Sequence, residues 1–130
     1  MNPTHLLDTM TLIWAVESPN RLSEVAHSIC SDTETRPAVS VVSLMELIVK
    51  VRTGRLVLSP DPTAWWDHHV GRLGYQTLAL RQQHVEELWT LPLIHRDPAD
   101  RLLICQAICE GIPLVTSDEA IRHYPVAISW

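Results

Sequence analysis

The stretch AVSVVSLMELIVKVRTG, residues 38 to 54, decides the fold that the sequence predicts. Residues 38 to 42 are largely apolar and rich in β-branched valine, which is typical of a strand buried within a parallel sheet. A helix is predicted from about Leu44 to a stop near Gly54, because glycine commonly follows the last turn of a helix. A buried strand that leads directly into a helix favours an α/β fold.

The rest of the chain repeats this alternation of short apolar strands and helices. Strands are predicted at 4–7, 38–42, 75–80, 112–116 and 126–129. Further helices are predicted around 22–30, from 61–62 to near 74, around 85–89, and from 98 to about 110. The alternation indicates a mostly parallel sheet with helices on both faces. A length of 130 residues predicts one domain spanning 1–130.

Composition limits the classes of function. The formal net charge of −5 argues against a protein that coats nucleic acid by charge alone, although a nuclease needs only a local basic rim. The apolar runs are too short to span a bilayer, and the first eight residues, MNPTHLLD, lack the pattern of a signal peptide. Three cysteines without a C-x-x-C motif predict reduced thiols in a cytoplasm.

Acidic residues follow the ends of several predicted strands. Asp8 comes directly after the first strand, and Glu46 lies one turn into the helix after the second. Asp118 follows the fourth strand by two residues, and Asp100 lies in the first turn of the helix that leads into that strand. Ligands of parallel sheets bind beyond the carboxyl ends of the strands. The four acids are therefore expected to share one end of the sheet.

Each acid taken singly also has a structural interpretation. Residues 43–46 and 116–119 match the capping-box pattern, in which a hydroxyl residue and an acid close a helix start. Asp97 is a good N-cap before a proline, and Asp100 is favoured in the first turn by the helix dipole. Capping does not explain why Asp8 ends a buried strand. Taken together, the acids favour a functional interpretation.

The expected gathering of four carboxylates has an electrostatic consequence. Two carboxylates about 5 Å apart repel by roughly 3 kcal/mol at an effective dielectric constant near 20. A divalent cation would remove this conflict. Because the ligand set contains only oxygen, it favours Mg²⁺ or Mn²⁺ over zinc.

Four segments in order resemble the motifs of a known family. They are LLDTMTLIWAVE (6–17), VSLMELIVKVRTGRL (42–56), HRDPADRLLICQA (95–107) and LVTSDEAI (114–121). Together they resemble PIN-domain proteins and, more narrowly, the VapC-type ribonuclease toxins of bacterial type II toxin–antitoxin pairs. The resemblance implies a PIN-like three-layer sandwich with a five-stranded parallel sheet of order 3-2-1-4-5. It also implies an acidic site at the switch between strands 1 and 4.

The resemblance assigns roles to individual residues. Asp8, Glu46, Asp100 and Asp118 match the four acids of the family, in that order. Thr116 matches a small hydroxyl residue beside the site. Asp97 is a secondary acid of the same loop, and we expect it to act first as a helix cap.

The activity expected from the resemblance is metal-assisted hydrolysis of RNA phosphodiesters by a water that Mg²⁺ or Mn²⁺ activates. Asp8 and Asp100 are the expected direct ligands, while Glu46 and Asp118 act through water or complete a second metal site. Arg96 is the favoured phosphate contact, with Arg101 also beside the acids. Further along the Glu46 helix, Lys50 and Arg52 are more typical of a solvated face.

The resemblance also implies partners: the RNA substrate, a cognate antitoxin and a second copy of the chain. Leu12, Ile13, Leu47 and Val51 are candidates for lining an antitoxin groove, although ordinary core positions are favoured for at least half of them. The five tryptophans are favoured as core or subunit-interface residues rather than base-stacking platforms, with Trp14 beside the site the exception to watch.

A second class of function stays open. A PIN-like module that binds RNA or protein without cleaving would share the fold, although the presence of all four acids weighs against it. A haloacid-dehalogenase-type phosphatase is disfavoured because its second acid, two residues after the first, is here Met10.

Overall fold

A computed structural model of the chain describes residues 2–34 and 36–130. Its strands are β1 (Leu6–Leu7), β2 (Ala38–Ser40), β3 (Gln76–Leu78), β4 (Leu114–Val115) and β5 (Ile128–Ser129). They form one sheet of order β3-β2-β1-β4-β5, and every neighbouring pair runs parallel. The predicted sheet and strand order are confirmed. Each strand is shorter than predicted, but each lies within its predicted range.

In the described part of the chain, six helices connect the strands. They are α1 (Thr9–Glu17), α2 (Glu24–Ser31), α3 (Val41–Arg52), α4 (Pro62–Leu73), α5 (Gln82–Glu86) and α6 (Pro98–Glu110). Short 3₁₀ turns occupy Pro19–Arg21, Glu87–Trp89 and Ile121–His123. Within the described residues, no helix is both long and apolar enough to cross a membrane.

Among residues 2–34 and 36–130, two hydrophobic cores flank the sheet. On one face, Leu7, Val39 and Val115 pack with apolar residues of α1, α2 and α4, including the buried Trp65 and Trp66. On the other face, Leu6, Ala38 and Leu114 pack with apolar residues of α6. Successive residues of a strand point to opposite faces, so each central strand contributes to both cores. Burial on both faces confirms the predicted three-layer sandwich.

Local chemistry begins and ends α4 and α6 where the sequence predicts. Asp61 and Asp97 each cap a helix that starts with proline, and each carboxylate accepts a hydrogen bond from a backbone N–H in the first turn. Gly74 and Gly111 end these helices with φ values of +73° and +67°. Glycine reaches this left-handed region without the steric cost that a side chain adds.

The prediction for the start of α3 is wrong. The helix begins at Val41 rather than near Leu44, and strand β2 ends at Ser40. The Ser40 hydroxyl accepts a 3.0 Å hydrogen bond from the backbone N–H of Val42, so Ser40 is the N-cap. The predicted capping box at 43–46 therefore lies inside the helix. Its acid, Glu46, is free to reach toward the end of the sheet.

The tryptophans divide between core and surface. Trp65 and Trp66 are buried, as the core interpretation predicted. Trp14 is half-buried and contacts Trp130, with ring centroids 6.0 Å apart. Trp89 is 93% exposed, so it is not a core residue, and the subunit-interface interpretation stays a prediction for it.

Candidate active site

A cavity of about 220 Å³ opens beside the carboxyl ends of β1 and β4. This acidic cavity is lined by Asp8, Thr9, Met10, Glu46, Lys50, Asp97, Asp100, Ser117 and Asp118. The structure thus brings together all four acids that the sequence singled out, together with the secondary acid Asp97. Neighbouring strands β1 and β4 lead away to opposite halves of the sheet, which makes this position the switch in strand order.

Asp8 is held in place by the start of α1. Its Oδ1 accepts a 2.8 Å hydrogen bond from the backbone N–H of Thr11, and its own N–H donates to the Val115 carbonyl at 3.1 Å. The Thr11 hydroxyl also donates to the Val115 carbonyl, at 2.9 Å. Asp8 is therefore an N-cap, contrary to the expectation that capping does not explain it. The same position directs its carboxylate toward the cavity.

Glu46 is oriented by two neighbours from different elements. The Thr9 hydroxyl donates to Oε1 at 2.7 Å, and Lys50 Nζ lies 3.1 Å from Oε2. Lys50 lines the cavity, so the solvated-face interpretation is wrong for this residue. Its position four residues after Glu46 was the available signal, since such pairs meet on one helix face. Arg52 is exposed, as expected.

Thr116 and Asp118 form a tight turn after β4. The buried Thr116 hydroxyl accepts a 3.0 Å hydrogen bond from the Asp118 N–H, and Asp118 Oδ1 accepts one of 2.9 Å from Ala120 N–H. No α-helix begins here, so the predicted capping box at 116–119 is wrong. The Thr116 side chain also lowers the pKa of Asp8, so one side chain acts on both the first and the fourth acid.

Asp100 faces the cavity from the first turn of α6. Its Oδ2 lies 3.3 Å from His95 Nε2. The Asp97 carboxylate caps the helix by accepting a 3.0 Å hydrogen bond from the Asp100 N–H, as predicted. Burial and the negative charges of Asp97, Glu46 and Asp118 raise the pKa of Asp100 to about 6.

The charge of the cavity is poorly compensated. Burial raises the pKa of Asp8 as well, and the Asp118 charge adds to this effect, while hydrogen bonds from Thr11 and Thr116 oppose it. Lys50 is the one basic side chain that lines the cavity in the described part of the chain. Raised carboxylate pKa values in a cleft mark a candidate functional site. An oxygen-only set of acids fits a hard dication such as Mg²⁺ or Mn²⁺.

The side chains do not form a closed ligand cage. Among residues 2–34 and 36–130, no group of three or more His, Cys, Asp or Glu side chains is arranged to hold a metal ion. A bound ion would therefore need side chains to move or water molecules to complete its ligands. Mg²⁺ commonly keeps several of its waters when it binds to proteins.

The predicted basic residues lie in different environments. Arg96 is exposed in the loop before α6 and does not line the cavity. Arg101 is buried, and its guanidinium donates to the Pro92 and Leu91 carbonyls, so Arg101 does not flank the acids as a free cation. Sequence reasoning missed His95 as a neighbour of Asp100, and no spacing rule would have paired them across a loop.

A second cavity of about 460 Å³ adjoins the acidic one. This amphipathic groove is lined by Met10, Ile13, Trp14, Ser18, Arg21, Lys50, Arg55 and Leu56. Met10 and Lys50 line both cavities. Of the predicted groove residues, Leu12 and Leu47 are fully buried core, Val51 packs partly buried against that core, and only Ile13 lines the groove.

The sequence matches one family model, that of the PIN domain, over residues 5–127. Similar solved structures include DNA-bound VapBC from Salmonella typhimurium (TM-score 0.71, 20% identity, 98% of this chain and 97% of that one). VapBC2 from Rickettsia felis, bound to a promoter DNA fragment, gives a TM-score of 0.69 at 15% identity, covering 95% and 96%. VapBC-5 from Mycobacterium tuberculosis gives 0.59 at 18%, covering 97% and 96%. No curated protein matches.

Proposed function

The chain belongs to the PIN-domain family, and we propose that it is a metal-dependent endoribonuclease, the VapC-type toxin of a type II toxin–antitoxin pair. The observation that carries this proposal is the convergence of Asp8, Glu46, Asp100 and Asp118 on one cavity at the sheet switch. The likeness to VapBC toxin–antitoxin structures supports the toxin assignment.

The acids would hold one or two Mg²⁺ or Mn²⁺ ions. Asp8 and Asp100 are proposed as direct ligands because burial raises the pKa of both carboxyls, and a bound cation would relieve this cost of their charge. Glu46 and Asp118 would act through bound water or complete a second site. When bound, the metal supplies a Lewis acid for a phosphoryl oxygen and lowers the pKa of a water.

The chain's own residues would place the RNA backbone. Lys50 Nζ lies at the cavity, where it can meet a phosphate oxygen while Glu46 keeps it in position. Arg96, exposed in the loop before α6, remains the proposed outer phosphate contact. The His95–Asp100 contact keeps the third acid from turning freely.

The direct test is cleavage of single-stranded RNA of mixed sequence with Mn²⁺, and with EDTA as the metal-free control. Asp8→Asn and Asp100→Asn should each abolish cleavage, while Asp67→Asn, an exposed acid on α4, should cleave like wild type. Wild-type cleavage by either cavity variant would contradict the proposal.

The rival function, a PIN-like module that binds without cleaving, differs in its need for metal. A ligand that binds only the folded state stabilises it by about 2.7 kcal/mol at 100 times its Kd. Thermal melting of wild type should therefore shift upward with Mn²⁺, and that of Asp100→Asn should not. Unchanged melting together with intact RNA would favour the silent module.

The proposed partner is a cognate antitoxin, and we expect the gene immediately upstream to encode it. The amphipathic groove supports this proposal because an apolar floor with Arg21, Lys50 and Arg55 suits an acidic, apolar chain segment. Met10→Gln should weaken neutralisation by the upstream product in a growth assay. Val57→Gln, which alters an apolar residue exposed outside the groove, is the matched control.

A homodimer in the cytoplasm completes the proposal. Trp89 and Leu93 are 93% and 89% exposed, and such apolar surface is typical of interfaces. All three cysteines are unpaired thiols, which agrees with a reducing compartment. Sedimentation of wild type and of Trp89→Ser tests the dimer: wild type should sediment as a dimer, and the variant should shift toward monomer.

A further inference from the structure

The hydroxyl of Tyr124 joins two segments beside Asp100. Tyr124 follows the 3₁₀ turn after β4 and is 4% exposed. Its Oη lies 3.1 Å from the guanidinium NH1 of Arg101, 3.0 Å from the backbone N of His95, and 2.7 Å from His95 Nδ1. Three polar groups thus meet at one phenol oxygen, which offers them two lone pairs and one hydrogen.

Counting donors and acceptors assigns each hydrogen. Arg101 can only donate, because its guanidinium has no acceptor, and a backbone N–H can only donate as well. These two donors occupy the lone pairs of Oη, so the phenol O–H must donate its hydrogen bond to an acceptor. His95 Nδ1 at 2.7 Å is nearer than the His95 carbonyl at 3.4 Å. The phenol therefore donates to Nδ1.

The consequence is a defined tautomer of His95. Because Nδ1 accepts, the neutral ring carries its hydrogen on Nε2. Nε2 lies 3.3 Å from Asp100 Oδ2, so the ring donates to the carboxylate. The polarity runs in one direction, from Arg101 to Tyr124, then to His95, and finally to Asp100.

We propose that Tyr124 and His95 are positioning residues for the metal ligand Asp100. They fix one carboxylate oxygen, Oδ2, by a hydrogen bond, and leave Oδ1 for a divalent cation. In the described chain, His95 is the side chain that hydrogen-bonds the Asp100 carboxylate. This inference rests on the proposed function, in which Asp100 binds the ion. Outer partners of this type typically change metal affinity by about 10- to 100-fold.

The test is Mn²⁺ titration calorimetry on a matched pair, His95→Gln and His95→Asn. The Gln amide reaches about as far as Nε2 and can still donate to Asp100, whereas the Asn amide reaches only about as far as Nδ1. We expect His95→Asn to bind Mn²⁺ about tenfold more weakly than wild type, and His95→Gln to stay within about threefold. Equal affinities of the two variants would overturn the proposal.

Tyr124→Phe tests the upstream link. It should also weaken Mn²⁺ binding by roughly tenfold. Without the hydroxyl, the hydrogen of the His95 ring is no longer held on Nε2, where it bonds Asp100. RNA cleavage by this variant should return toward the wild-type kcat at saturating Mn²⁺, which a merely unfolded variant would not do. Unchanged Mn²⁺ affinity in a folded Tyr124→Phe would contradict the role of Tyr124.

The same titrations separate this inference from the proposed function. Absence of Mn²⁺ binding by wild type would remove the metal site itself, and with it both proposals. Binding by wild type but not by Asp100→Asn, together with wild-type affinity in the three positioning variants, would overturn only the positioning roles.

Discussion

Two charged residues adjacent in sequence, Asp100 and Arg101, lie in opposite environments at the start of α6. Arg101 is buried, but its guanidinium finds three acceptors: two backbone carbonyls and the Tyr124 hydroxyl. Asp100 faces three other acids and has one side-chain donor, His95. One charge is matched by its surroundings, and the other is opposed by them.

This difference separates a structural charge, that of Arg101, from the charge of a candidate site residue, Asp100. A buried guanidinium that already donates to three acceptors has little left to offer a ligand, and its removal leaves those buried acceptors unpaired. Carboxylates that lie together and are not neutralised by nearby basic side chains can still bind a cation. The distinction follows from partners in space, since both residues are ordinary charged residues in the first turn of one helix.

The largest expected effect is the loss of activity at Asp100. Asp100→Asn should lower RNA cleavage by more than about 100-fold, beyond the usual effect of an outer metal partner. Without metal, the same variant should melt no lower than wild type at pH 7.5, because the charged Asp100 carboxylate of wild type destabilises the folded state. An Asp100→Asn protein that loses cleavage because it unfolds would contradict the predicted combination of lost activity and retained stability.

The next effect is on stability, at Arg101. Arg101→Met should lower the free energy of unfolding by about 3 kcal/mol, because two carbonyls and the Tyr124 hydroxyl lose their donor. Urea denaturation measures the loss, and Arg52→Met, which alters an exposed arginine, is the control. Equal stability of both variants would remove the contrast between the two sites.

The third effect is the pH dependence of the acidic cavity. Because the pKa of Asp100 is about 6 in the folded protein against an ordinary 3.8, the folded state holds this proton more tightly. Its ionisation therefore reduces the stability of the metal-free protein as pH rises between these values. The stability of Asp100→Asn relative to wild type should grow over the same range. A difference that is constant with pH would contradict the raised pKa.

The smallest effect separates the cap from the ligand at Asp97. Asp97→Ala should cost about 1 kcal/mol of stability, while Asp97→Ser should keep most of it because serine also caps helices. Both variants should still cleave RNA, since Asp97 already uses Oδ1 for the Asp100 N–H. Loss of cleavage in the stable Asp97→Ser protein would show that Asp97 also serves the metal.

Much of the fold was predictable because local signals agreed with the packing. Most elements and their order were indicated by the valine-rich segment at 38–42, the proline starts of α4 and α6, and the closing glycines Gly74 and Gly111. The start of α3 was predicted wrongly because Ser40 and Ser43 are equally good caps in sequence. In the folded protein the Ser40 hydroxyl accepts from the Val42 N–H, whereas the Ser43 hydroxyl is buried against Thr9.

The candidate site was predictable in its acids but less so in their neighbours. Position after a strand identified Asp8, Glu46 and Asp118, because parallel strands end at one edge. Lys50 was misjudged, although its spacing to Glu46 offered a signal. His95 and Tyr124 lie 29 residues apart, and their hydrogen bond has no trace in local patterning.

The sequence by itself determined the alternating α/β architecture, the caps of α4 and α6 and the set of acids, because these depend on periodicity, short-range hydrogen bonding and residue order. Only the tertiary structure decided which charges are compensated. Arg101 became a buried structural donor and Lys50 a cavity residue, since both outcomes depend on groups that are distant in sequence or placed by the fold. Compensation is a property of surroundings within a few ångströms, and folding alone creates those surroundings.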